Sequence, residues 1–144
     1  MSKPVPPKRE DYRAFYPLTT RWADNDIYGH VNNVTYYAYF DTAANRYLIE
    51  EGGLDISDST VVGYVVSSGC EYHAPVTYPD DLEAGLRVDH LGNSSVRYGI
   101  AIFRQGEATA VAHGYFVHVF VERETDSAVA IPGELRQALA RILA

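Results

Sequence analysis

A chain of 144 residues, 47% of them hydrophobic, has the size and the apolar content of one folded domain. Its formal net charge of −7 argues against a nucleic-acid-binding protein, because such proteins present a basic face. The single cysteine, Cys70, excludes an intrachain disulfide, and no apolar stretch approaches the roughly 20 residues that cross a bilayer, so no membrane partner is expected.

The first eleven residues are predicted to form a flexible N-terminal arm. They are rich in proline and charge, show no hydrophobic period and lack the apolar segment of a secretory signal. Residues 12–144 are therefore expected to form the single domain of a cytoplasmic protein.

A strand, a loop and a long helix are predicted to follow the arm. Residues 15–22 favour a strand, and residues 23–31 favour an ordered loop, since they combine two Asp, one Asn and one Gly without a helical or strand period. From residue 32 to 51 apolar side chains recur at helical spacing and fill most of the other positions too, which indicates a largely buried helix. Either Asn32 or Asn33 is suited to cap its start.

Four antiparallel strands and a short surface helix are predicted after the long helix. In one of these strands apolar side chains alternate with charged ones, so the sheet is covered on one face only, and the buried helix is the obvious cover. The strands are expected at residues 61–73, 82–91, 94–104 and 108–122, and the last helix at residues 132–143. The predicted fold class is thus α+β, with an antiparallel sheet of about five strands wrapped around one long apolar helix.

The loop before the long helix concentrates the candidate catalytic groups. The first backbone N–H groups of a helix have no partner within the helix and carry the positive end of its dipole, which favours a developing oxyanion. Asp24 and Asp26 lie just upstream and offer a carboxylate for acyl transfer. Spacing alone is not specific, because Asp and Asn before a helix more often serve as caps and turn formers.

Residues 21–33, with the aromatic residues 36–40 behind them, resemble the 4-hydroxybenzoyl-CoA thioesterase family of hot-dog proteins. The likeness lies in the pattern Asp-x-Asp-x-x-Gly-His-Val-Asn-Asn before an aromatic-rich helix. Weaker motifs follow in the same order as in the family and extend the likeness over about residues 15–142. The resemblance implies a hot-dog fold and hydrolysis of an acyl-CoA or a related acyl thioester, with no cofactor besides the CoA of the substrate. It also implies a homo-oligomer, a dimer or tetramer whose sheets pair edge to edge.

Carried over position by position, the resemblance assigns roles within the loop. Asp26 matches the catalytic carboxylate of the family, as nucleophile or general base, whereas Asp24 is expected to cap the turn or to orient Arg21. Asn33 matches the residue whose backbone N–H polarises the thioester carbonyl. The expected substrate-binding residues are Gly29, His30, Val31 and Asn32. For His30, a role as substrate contact or general acid and a role as a packing residue remain equally open.

Two other functions are weighed against thioester hydrolysis. A hot-dog enoyl-thioester hydratase or dehydratase would use Asp26 with His30 as an acid–base pair, but its usual Asp-x-Asn-Pro-x-His pattern is absent. A non-catalytic acyl-thioester-binding protein would keep the pocket without the chemistry.

The remaining histidines and several arginines give weaker signals. The histidines lie on separate predicted strands without Cys or carboxylate residues at ligand spacing, so no metal is expected. These histidines are His73, His90, His113 and His118. Candidates for binding the phosphates of CoA are Arg87, Arg97, Arg104 and Arg123.

Overall fold

The computed structural model describes residues 4–144, and its regular elements follow the order that the hydrophobic pattern predicts. These residues contain two α-helices and five strands, in the order β1 (Ala14–Thr19), α1 (Asn33–Glu50), β2 (Val61–Tyr72), β3 (Asp81–Leu91), β4 (Ser95–Arg104), β5 (Ala112–Glu122) and α2 (Gly133–Arg141). Two 3₁₀ turns, Arg9–Asp11 and Trp22–Asp24, flank β1.

The five strands form one antiparallel sheet in the order β1-β3-β4-β5-β2. Strands β3, β4 and β5 are joined by short connections and lie side by side, whereas β1 and β2 occupy the two edges. Strand β2 pairs with β5 along its whole length and leaves its other edge unpaired within the described chain. The predicted α+β class and the hot-dog arrangement of one sheet around one helix are confirmed.

Helix α1 packs against one face of this sheet and supplies much of the core. Its buried side chains recur every three to four residues, and they meet the fully buried positions of the central strands. On α1 these side chains are Tyr36, Tyr39, Phe40, Ala43, Ala44, Tyr47 and Leu48. Asn32 caps the helix, because its side-chain oxygen accepts the Val34 N–H at 2.9 Å.

Two strands differ from their predicted bounds by three or more residues at one end. Strand β1 ends at Thr19 rather than at residue 22, because the chain turns there and the Thr20 hydroxyl donates to the Asp80 carbonyl at 2.6 Å. Strand β5 begins at Ala112 rather than at residue 108, because residues 108–110 bond to the N-terminal segment instead of to β4.

Of the predicted N-terminal arm, residues 1–3 lie outside the described part of the chain. Further along the arm, the Arg9 N–H donates to the Ala108 carbonyl at 3.0 Å, and the Ala110 N–H donates to the Pro7 carbonyl at 2.9 Å.

Within residues 4–144 neither helix combines the length and the apolar character that a membrane crossing requires.

Candidate active site

The loop between β1 and α1 is a tight turn built by its own backbone. The Asp26 N–H donates to the His30 carbonyl and the Gly29 N–H donates to the Asp26 carbonyl, both at 3.0 Å. Gly29 has a φ of +82°, a value that side chains disfavour, so a glycine is required here for the turn. The Val31 N–H donates to the Val76 carbonyl at 2.8 Å and ties the loop to the segment between β2 and β3.

The Asp26 carboxylate is held by two neighbours of the same loop. One oxygen accepts the Tyr28 N–H at 2.9 Å and the other accepts the Asn32 side-chain amide at 3.3 Å. Both donors are neutral, and the side chain is only half-buried. Asp26 is therefore oriented without an ion pair and keeps lone pairs free for a ligand.

The first turn of α1 leaves the backbone N–H of Asn33 free. The Asn32 N–H bonds to the Asp24 carbonyl, the Val34 N–H to the Asn32 side chain and the Thr35 N–H to the Asn32 carbonyl, each at 2.9 Å. The N–H of Asn33 has no acceptor among residues 4–144. This donor combines an open hydrogen-bonding position with the positive end of the helix dipole.

Asp26 and Asn33 border the same cleft, whose volume is about 400 Å³. The cleft is lined by Asp26, Tyr28, His30, Val31, Asn33, Tyr36, Tyr72, His73, Ala74 and Pro75. The structure thus brings four of the predicted site residues together: Asp26, His30, Val31 and Asn33. Gly29 and Asn32 border a second hollow, which Asp26 also lines.

Asp24 lies only two residues from Asp26 but is buried, with 1% of its surface exposed. Both of its oxygens are occupied: they accept from the backbone and guanidinium of Arg21 and from the Tyr39 hydroxyl, at 2.8–3.1 Å. Burial opposes ionisation of Asp24, but the hydrogen bonds from Arg21 and Tyr39 outweigh it and hold the pKa of this carboxyl below its usual value. Asp24 therefore has the bracing contacts predicted for it.

The residues that sequence reasoning missed include two polar side chains contributed by the far end of the sheet strand β2 and the position after it. These are Tyr72 and His73, which the strand pattern marks only as part of a sheet. His73 shares a hydrogen bond of 2.8 Å with His113, and burial together with the charge of His73 lowers the pKa of His113. No local signal reveals these positions, because the end of β2 meets the start of α1 only through the fold.

The histidines and arginines considered for metal or phosphate binding lie in different surroundings. Within residues 4–144, no three His, Cys, Asp or Glu side chains cluster as a metal ion would need. Arg87 and Arg104 form ion pairs with carboxylates, and Arg123 donates to a backbone carbonyl. Arg97 lies over the Tyr115 ring at 3.9 Å and forms no ion pair in the described part of the chain.

Similar proteins share this fold from end to end. The crystal structure of the PA5185 protein from Pseudomonas aeruginosa strain PAO1 is 62% identical, covers 96% of this chain and 97% of its own, and superposes with a TM-score of 0.96. Slr0204 of Synechocystis, a 1,4-dihydroxy-2-naphthoyl-CoA thioesterase, is 18% identical with a TM-score of 0.78 over 88% of this chain and 94% of its own. At that identity the likeness concerns the fold alone.

Two findings extend the likeness from fold to family. The long-chain acyl-CoA thioesterase FadM of Escherichia coli K12 is 27% identical over 125 residues, which cover 82% of this chain and 90% of FadM. The thioesterase superfamily matches residues 28–111, more than half of the chain and most of the cleft. The predicted class of enzyme, a thioester hydrolase, is confirmed, and the chain belongs to the thioesterase superfamily.

Proposed function

We propose that this chain hydrolyses acyl-CoA thioesters in the cleft between the Asp26 loop and the end of β2. The observation that carries the proposal is the pairing of a half-buried carboxylate, Asp26, with an N–H of Asn33 that has no acceptor among the described residues, on one cleft. The name of FadM, a long-chain acyl-CoA thioesterase, supports CoA as the thiol.

The chemistry needs one carboxylate and one oxyanion donor. With the thioester oxygen at the Asn33 N–H, the helix dipole stabilises the negative charge that develops on that oxygen. Asp26 then either attacks the carbonyl carbon, giving a mixed anhydride that water hydrolyses, or removes a proton from the attacking water. The thiolate is a good leaving group and takes up a proton to give free CoA.

The walls of the cleft suit an acyl group. Tyr28, Tyr36 and Tyr72 present aromatic rings, and Val31 is buried beside them. His30 is exposed on this cleft, which favours contact with the substrate over packing in the core.

We further propose that the chain forms a homodimer through the free edge of β2 and that two dimers associate into a tetramer. Strand β2 has 12 residues, and its exposed side chains include Tyr64, Val65 and Val66 at 45–60%. The other edge strand, β1, has 6 residues and contains Pro17, which lacks an N–H. Light scattering tests this proposal: Val66→Glu is expected to give monomers, and an unchanged oligomer would contradict it.

The test of the function is release of free thiol from acetyl-, octanoyl-, palmitoyl- and benzoyl-CoA. We expect wild-type protein to cleave at least one of them and the Asp26→Asn variant to be the matched inactive control. Absence of thiol release from all four would contradict the proposal. Consumption of an enoyl-CoA without release of thiol would instead indicate a hydratase.

A single-turnover reaction in ¹⁸O-labelled water tests for the anhydride route. If mass spectrometry finds ¹⁸O in the Asp26 carboxylate, the anhydride forms and water attacks its aspartyl carbonyl, because the general-base route leaves this carboxylate unlabelled.

A further inference from the structure

Tyr72 connects the end of β2 to the start of α1. Its hydroxyl donates to the Asn33 carbonyl at 3.1 Å. Its ring stands edge-on to that of Tyr36, with centroids 5.1 Å apart and planes at 89°, and both rings line the cleft. Tyr72 therefore contacts both the wall of the cleft and the residue whose N–H is the proposed oxyanion donor.

Three of the hydrogen bonds that hold the entry into α1 differ in whether they use backbone or side-chain groups. The Asn32 N–H bonds to the Asp24 carbonyl and the Val31 N–H bonds to the Val76 carbonyl, so these two contacts use backbone on both sides. The third contact, from Tyr72 to Asn33, uses a side chain. The Asn33 carbonyl also accepts the N–H four residues further along the helix, so two donors restrain its direction.

The direction of the Asn33 N–H depends on this restraint. A helical residue that is held at its carbonyl by a neighbouring strand has little freedom to tilt, and its N–H points in a defined direction. Burial raises the pKa of Tyr72 above its usual value, so the hydroxyl keeps the proton that it donates.

We propose that Tyr72 is a positioning residue for thioester hydrolysis: its hydroxyl fixes the first turn of α1 so that the Asn33 N–H meets the substrate carbonyl. The inference rests on the proposed function and adds a residue from β2. The aromatic ring has the separate role of a cleft wall, which phenylalanine also provides.

The first experiment compares Tyr72→Phe with Tyr47→Phe. The Tyr47 hydroxyl also donates to a backbone carbonyl, that of Ala138 at 2.5 Å, but it lies near the other end of α1 and away from the cleft. Each variant loses one phenol–carbonyl hydrogen bond and keeps its ring. With the best acyl-CoA of the four, Tyr72→Phe is expected to lower kcat about tenfold with KM within about twofold, since a misaligned oxyanion donor weakens transition-state binding. Tyr47→Phe is expected to leave kcat within about twofold of wild type.

The second experiment measures polarisation of the substrate carbonyl directly. The same acyl-CoA, labelled with ¹³C at the carbonyl, is bound to the Asp26→Asn variant, and its stretching frequency is recorded by infrared difference spectroscopy. We expect binding to lower this frequency, and we expect the shift to shrink when Tyr72→Phe is added but not when Tyr47→Phe is added. A purely structural role for Tyr72 does not predict this spectroscopic difference.

The outcomes separate this inference from the proposed function. If wild-type protein cleaves none of the four thioesters, the proposed function is wrong. If wild-type protein cleaves them but the two tyrosine variants have equal kcat and equal carbonyl frequencies, only the positioning role of Tyr72 is wrong.

Discussion

Asp24 and Asp26 lie two residues apart, and their surroundings differ in every respect that decides what a carboxylate does. Asp24 is buried and accepts four hydrogen bonds, among them those from the guanidinium of Arg21 and the hydroxyl of Tyr39. Asp26 is half-buried, accepts two neutral donors and borders the cleft. A carboxylate whose lone pairs are all used braces the structure, whereas one with an open side is available for chemistry.

The two carboxylates also differ in what they join. Asp24 connects the end of the turn after β1 to α1, because Tyr39 belongs to the second turn of that helix. Among residues 4–144 the Asp26 carboxylate accepts hydrogen bonds from Tyr28 and Asn32, which lie in its own loop and at the start of α1. Removing Asp24 is therefore expected to affect the fold, and removing Asp26 the reaction.

The largest expected effect is that of Asp26→Asn on activity. We expect kcat/KM for acyl-CoA hydrolysis to fall about 10²–10⁴-fold, the usual contribution of a positioned acid–base group. The free energy of unfolding should change by less than about 1 kcal/mol, because among residues 4–144 the carboxylate accepts hydrogen bonds only from its own loop and the start of α1. Thiol release and urea denaturation measure the two quantities, and full activity in the variant would contradict the assignment of Asp26.

Asp24→Asn is expected to give the opposite result. The amide places an NH₂ group among donors from Arg21 and Tyr39, so we expect the free energy of unfolding to fall by about 2 kcal/mol. Hydrolysis measured well below the melting temperature should stay within about threefold of wild type. An activity loss as large as that of Asp26→Asn, with unchanged stability, would reverse the two assignments.

Asn32 links the two regions, since its side chain both caps α1 and donates to Asp26. Asn32→Ala is expected to cost about 1 kcal/mol of stability through loss of the cap. Asn32→Asp keeps a capping oxygen but replaces the donor to Asp26 with a like charge. We therefore expect Asn32→Asp to keep most of the stability and to lower kcat/KM, because it removes a hydrogen bond that orients Asp26 and places a like charge beside it. Wild-type kcat/KM in Asn32→Asp would contradict the contact with Asp26.

The smallest expected effect is on the pH dependence of stability. The pKa of Asp24 is lowered in the folded protein, so below about pH 4 the unfolded chain binds this proton more readily than the folded one. This contribution to stability is present at neutral pH and is lost as the pH falls through the folded pKa. Denaturation from about pH 6 to about pH 2 should show the stability difference between wild type and Asp24→Asn narrowing with acid. A constant difference would show that Asp24 does not ionise more readily in the folded state.

Much of the fold could be predicted from local patterns. The helical spacing of the apolar residues in α1 and the alternation in β3 are properties of neighbouring residues, and both elements were placed to within one residue. The last residue of β1 and the first residue of β5 were mispredicted by three and four residues. Both bounds depend on hydrogen bonds to segments that are distant in sequence. Thr20 bonds to Asp80, and residues 108–110 bond to residues 7–9.

The candidate site was predicted in part. Asp26, His30, Val31 and Asn33 form one continuous segment, so the motif that contains them placed them together, and the structure finds all four on one cleft. Their catalytic and binding roles stay predictions. Tyr72 carried no signal, since an aromatic residue at the end of an apolar strand is most simply part of the sheet.

The sequence by itself determined the α+β class, the long buried helix and the loop that carries the candidate carboxylates, because periodicity, capping and turn formation act over a few residues. Tertiary structure decided which carboxylate is free and what holds the helix start. The Asp24 carboxylate accepts a hydrogen bond from the hydroxyl of Tyr39, 15 residues away in sequence. The Asn33 carbonyl accepts one from the hydroxyl of Tyr72, 39 residues away. Such contacts form only when distant segments pack together, so no local sequence pattern predicts them.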